Sequence, residues 1–242
     1  MINNPQILVV YEPGMYGTFL CSLFMMQKLW GGADLDQEFP PSPMSSVNAH
    51  HSGYRDKLSN FHTNHHIEIL LEKNHDELKK FFLPLQAIKL GVHRLASYNF
   101  LKLDYKKYFN NFTILLIKPK THRLGAYIQR MEESTTNDYE TQWWYKNFRK
   151  KDLGKMPKWF LEKLSMKEKQ KYMEKHVNMV NNYLDNDQQN IIVFDPDQIA
   201  GPNLLQEMAD KVCGSLGIDN FKIPSDKVKK FVDRNSKYFS TD

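Results

Sequence analysis

The run QILVVY, from Gln6 to Tyr11, most constrains what this chain can fold into. Side chains of a strand alternate between its two faces, so a run that is apolar almost throughout needs cover on both sides. That calls for a sheet with helices on each face. The run leads into EPGMYG, a loop with two glycines, and then Thr18 opens a segment whose apolar residues Phe19, Leu20, Leu23, Phe24 and Leu29 keep helical spacing to about Trp30. Strand, glycine loop and helix are how proteins build an anion cradle, because the first N–H groups of a helix lack intrahelical acceptors. The loop contains no Lys, so the sequence asks what supplies the positive charge.

The same alternation continues along the chain. QAIKLGVHR predicts a strand ending near His93, after a helix from about Asp76 to Leu83, and Phe112 to Ile117 predicts another strand that Pro119 terminates. Helical patterns cover His122 to Glu133, Tyr139 to Phe148, Lys158 to Leu164 and Lys167 to Leu184. A strand at Asn190 to Phe194 and helices at about Asn203 to Leu216 and Ser225 to Tyr238 complete the chain. The predicted class is α/β, a mostly parallel sheet flanked by helices, with ligands outside the carboxyl ends of its strands. Residues 1–242 read as one domain, because no Gly/Ser or Pro-rich linker divides them. The all-helical stretch at about 137–185 reads as an inserted helical cap.

Composition narrows the partners. Apolar residues are 41% and charged residues 25%, as in a globular protein. The 33 Lys and Arg against 28 Asp and Glu form a mild excess that suits an anionic ligand but falls short of a nucleic-acid footprint. MINNPQILVV has no basic leader region and no segment reaches the roughly 18 apolar residues of a membrane span. The expectation is a soluble cytoplasmic protein with no membrane partner. Abundant Asn, Lys, Tyr and Phe point to an AT-rich coding genome, bacterial or viral, and in the viral case to a host cytoplasm. Cys21 and Cys213 are too few for a disulfide framework or a thiolate zinc site.

Three ordered stretches, with a fourth weaker match, carry a resemblance. EPGMYGTFL is similar to the 5′-phosphosulfate loop P-[KR]-[ST]-G-T-[TS] of the sulfotransferase family, with Gly17 and Thr18 in matching places. ILLIKPKTHRLGAYIQRM resembles that family's strand-then-helix 3′-phosphate segment, through Pro119, Ala126 and Tyr127. NIIVFDPDQIAGPNLLQEMADKVCGSLGI resembles its late strand, turn and helix, and IKLGVHRL resembles the strand end that supplies its catalytic base. The resemblance implies a P-loop-like sulfotransferase architecture using 3′-phosphoadenosine-5′-phosphosulfate without a metal. It implies donor binding by Gly14, Met15, Tyr16, Gly17, Thr18 and Phe19, with His93 as catalytic base. The acceptor would be a hydroxyl of a glycan or small molecule. The chain departs from the family at the loop Lys or Arg, at Ile117 where an Arg is expected, and at Gly125 where a Ser is expected; the late R-K-G motif is not visible. Lys118 and Arg123 are the expected substitutes, with Lys120 and Lys89 as the other candidates.

Each assignment has a plainer counterpart. The glycine loop also reads as a tight turn, His93 as a hydrogen-bonded His at a strand end, and Arg123 as a solvated cation on a helix face. Sulfuryl transfer needs mainly positioning, electrostatic support and a base, and the loop lacks the Lys-Ser/Thr pair of a magnesium-dependent nucleotide site. His50, His51, His62, His65 and His66 invite a zinc reading, but without thiolates or helical spacing they fit an acceptor-site lining or a loop better. The Trp and Lys residues from Trp143 to Lys175 fit a helical cap better than a base-stacking surface. A non-catalytic module of the same fold, binding a glycan or a protein, is the rival function.

Overall fold

The structure is a computed structural model, and it describes residues 3, 5–12, 15–25, 91–96, 100, 105–107, 109–137, 164–185 and 190–239. Among the described residues the sheet has four strands, all parallel: β1 (Gln6–Tyr11), β2 (Gly91–Ala96), β3 (Phe112–Ile117) and β4 (Ile191–Phe194), in the order β2-β1-β3-β4. The helices described over their length are α1 (Gly17–Met25), α2 (Leu124–Asn137), α3 (Met166–Asp185), α4 (Pro202–Ser215) and α5 (Ser225–Arg234). Short 3-10 turns include Thr121–Arg123, Pro196–Ala200 and Ser236–Tyr238.

The apolar run at Gln6–Tyr11 is explained by its place. β1 lies between β2 and β3, and all six of its residues are buried. β4 is at the end of the described sheet and is less covered, with Val193 58% exposed. One apolar core joins Ile7, Val9, Leu115 and Ile117 of the sheet with Leu20, Phe24, Ile128, Met208 and Val212 of the helices. The core also takes in Met173 of α3, which packs along α2. Among the described residues no helix is long and apolar enough to cross a membrane.

Two of the differences from the sequence reading bear on the site. β2 runs on to Ala96 instead of ending near His93, because Arg94, Leu95 and Ala96 continue the ladder against Val9, Val10 and Tyr11. His93 is therefore the third of six strand residues, abreast of Leu8. The last helix stops at Arg234 instead of reaching Tyr238. Its final carbonyls bond to Asn235, whose N–H donates to the Phe231 and Val232 oxygens and whose Nδ2 donates to Phe231 O at 2.9 Å. The chain then turns, so Tyr238 and Phe239 leave the helix axis. The predicted helices at Asp76–Leu83, Tyr139–Phe148 and Lys158–Leu164 lie outside the described residues, apart from Leu164, which is not helical. The proposed cap is described from residue 164 on, as α3.

Candidate functional site

The strand order fixes where a site is expected. From β1 the chain passes through α1 to β2 on one side, whereas β3 lies on the other side of β1 and leads through α2 towards β4. The direction of winding reverses between β1 and β3, and in parallel sheets ligands sit outside the carboxyl ends at that switch. The two connections that meet there are residues 12–16 and 118–123.

On the β1 side, the backbone turns back at once: Met15 N–H donates to Glu12 O at 3.2 Å. Glu12, Met15 and Tyr16 are all buried. Gly14 lies outside the described residues. Tyr16 has φ +59°, a left-handed conformation that costs a residue with a Cβ roughly 1–2 kcal/mol. Its carbonyl accepts from Leu20 N–H at 3.0 Å, which makes Tyr16 the cap residue of α1 and puts the Gly17 and Thr18 amides ahead of the first helical bond. Gly17 is required by contact: a Cβ there would sit 2.4 Å from the Tyr11 ring. The Thr18 and His93 side chains lie outside the described residues.

The inward direction of Tyr16 comes from an aromatic nest. Its ring stacks on Phe239 with centroids 5.1 Å apart and meets Phe231 and Tyr127 edge-on at 5.4 and 6.1 Å. Phe19 stacks on Phe231 at 3.8 Å. The Arg130 guanidinium stands 4.0 Å from the Tyr16 ring centre, a cation–π distance. Burial lowers the Arg130 pKa and pushes the Tyr16 hydroxyl up to about 12. Among the described residues that hydroxyl meets no geometric hydrogen-bond partner.

On the β3 side, Lys118 N–H donates to Phe194 O, which extends the β3–β4 ladder, while its side chain is exposed. Pro119 is buried and Lys120 is exposed. Arg123 is committed elsewhere: Nε donates to Asp197 Oδ2 at 2.8 Å, and Nη2 donates to Asp197 Oδ1 at 3.3 Å and to Tyr238 O at 2.6 Å. The Tyr127 hydroxyl donates to the same carboxylate at 2.7 Å. The bond to Asp197 raises the Arg123 pKa, and burial, then the same carboxylate, raises that of Tyr127. Asp197 is positioned by a capping box, in which Asp195 accepts from Asp197 N–H and its own N–H donates to Gln198 Oε1. Burial raises the Asp195 pKa.

The structure thus brings Met15, Tyr16, Gly17, Phe19, Lys118 and Arg123 to one edge of the sheet, and it sets His93 inside β2, three residues short of that strand's end. Lys118 and Lys120 are exposed there, whereas Met15, Tyr16 and Gly17 at the head of α1 are buried. The residues that sequence reasoning missed are Asp197, Arg130, Tyr238 and Phe239. They act across separations such as 74 and 115 residues from Arg123, where no local spacing pattern links them. Among the described residues no group of three or more His, Cys, Asp or Glu comes together to hold a metal. The five clustered histidines and Lys89 lie outside them. Cys21 and Cys213 are buried thiols, and burial pushes Cys213 up to about 12. Comparison of the chain with protein families, with curated proteins and with solved structures finds no match.

Proposed function

We propose that the loop after β1 with the head of α1, together with residues 118–123, binds the phosphates of a 3′-phosphoadenosine donor, and that the chain is a P-loop-like sulfotransferase acting in the cytoplasm on a hydroxyl of a glycan or small molecule. The observation that carries the reading is the position of the glycine loop: it joins β1 to α1 at the one reversal of winding in the described sheet, beside the exposed Lys118. First-turn amides supply partial positive charge without a Lys, and Lys118 supplies a full one. The donor would bring an activated sulfuryl group. The protein's own part is to hold its phosphates, keep the acceptor in line, and take the hydroxyl proton, a role this reading gives to His93.

A titration calorimetry experiment with adenosine 3′,5′-bisphosphate tests the site. Heat of binding that is weakened in Lys118→Ala supports it, and no binding at millimolar nucleotide overturns it. The rival, a non-catalytic module, is favoured by one specific observation: Arg123 is already held by Asp197 and Tyr238 O, so it does not stand ready for a phosphate. Replacing His93 by Ala separates the two, since a lost general base lowers the rate roughly a hundredfold or more, whereas a module loses nothing it binds.

A further inference from the structure

The residues that grip Tyr16 come from the far end of the chain. Phe231 is in α5, and Phe239 follows the turn that Asn235 imposes. Arg123 fastens that same end by donating to Tyr238 O, and Asp197 holds Arg123 in turn. Tyr16 carries a left-handed backbone although it is not Gly, and such conformations persist only where the surroundings over-determine them. Stacking by Phe239 and edge contacts from Phe231 and Tyr127 are those surroundings. Because Tyr16 is the cap residue of α1, its conformation also aims the Gly17 and Thr18 amides.

We infer that residues 231–239 form a clasp that sets the β1–α1 loop in its anion-receiving shape, with Phe239 as its positioning residue. Phe239 touches no ligand on this reading; it acts through Tyr16. The inference rests on the proposed anion site for its purpose, but its mechanical content stands apart from it. The clasp closes a path from the β4 side of the sheet, through Asp197 and Arg123, to the loop after β1.

Hydrogen exchange on the full chain tests it. In Phe239→Ala, the amides of residues 15–20 are expected to exchange about tenfold faster or more, while those of Phe112–Ile117 keep their rates, because local opening is separable from global unfolding. Phe239→Tyr keeps the flat ring and is expected to restore the slow loop. Arg123→Lys keeps the charge but gives up the fork geometry, and it should accelerate the same amides and spare β3. Unchanged loop exchange in Phe239→Ala, or equal acceleration of the loop and β3, overturns the clasp. Affinity for adenosine 3′,5′-bisphosphate should fall about tenfold in Phe239→Ala and recover in Phe239→Tyr, the shift that corresponds to 1.4 kcal/mol. If the wild-type protein binds no nucleotide, the proposed function fails, and the exchange rates still decide the clasp.

Discussion

Replacing Gly17 by Ala adds one methyl group where there is no room for it. The new Cβ would lie 2.4, 2.5 and 2.7 Å from three carbons of the Tyr11 ring. That ring is 9% exposed and rigid, so it cannot swing aside as the tip of a Lys could. Overpacking of this kind costs roughly 1–3 kcal/mol, and three simultaneous short contacts place Gly17 at the upper end. Against it, Ala restrains the unfolded chain and favours the helix, which returns about 1 kcal/mol. The net loss is about 2 kcal/mol, or roughly 4–8 °C in melting temperature for a chain of this size. Gly214, in α4, is the internal control because a Cβ there meets nothing within 4 Å. Gly214→Ala should gain about 0.5–1 kcal/mol from the same two terms without the clash. Thermal melts followed by circular dichroism read both variants. A Gly17→Ala protein that melts at or above the wild type would refute the close approach of α1 to Tyr11.

Three further outcomes follow from the site. Asp197→Ala removes the shared acceptor of Arg123 and the Tyr127 hydroxyl, and it should lower stability to urea by about 2–4 kcal/mol; a loss below 0.5 kcal/mol would mean the pair is not formed in solution. Lys118→Ala should leave the melting temperature unchanged, since the side chain is exposed, yet weaken nucleotide binding and flatten its salt dependence; equal salt slopes in both proteins would remove Lys118 from the site. The raised Tyr16 pKa gives a pH dependence of definite sign. The folded protein holds the phenol proton to about 12 whereas the unfolded chain releases it near 10, so the contribution is complete below pH 10 and lost as pH rises from 10 to 12. Tyr16→Phe should lessen that alkaline loss while costing little at neutral pH; an unchanged profile between pH 9 and 12 would contradict the burial of the hydroxyl.

The sheet was legible because its central strand advertises itself. QILVVY is apolar on both faces since β2 and β3 flank it and helices cover it, and that pattern survives whatever the distant chain does. Gly17 was legible as well, although its reason is contact with Tyr11 more than backbone freedom. His93 was read near a strand end, and pairing against Val9, Val10 and Tyr11 carries the ladder three residues further. Arg123 was expected as a substitute for the phosphate ligand missing at Ile117. Its carboxylate partner lies 74 residues away in a turn whose sequence, DPDQ, announces a cap and nothing about who shares it. The nest around Tyr16 was hidden for the same cause. Tyr16 looks like a loop side chain in the sequence, and the turn at Asn235 brings Phe239 back onto its ring.

The central claim is that the loop after β1 and the loop after β3 together receive the phosphates. Hydrogen exchange of the whole protein with and without saturating adenosine 3′,5′-bisphosphate measures this directly. The expected result is slower exchange at residues 15–20 and 118–123 together, with β4 and α4 unaffected. Protection confined to other segments, or none at millimolar nucleotide, would contradict it.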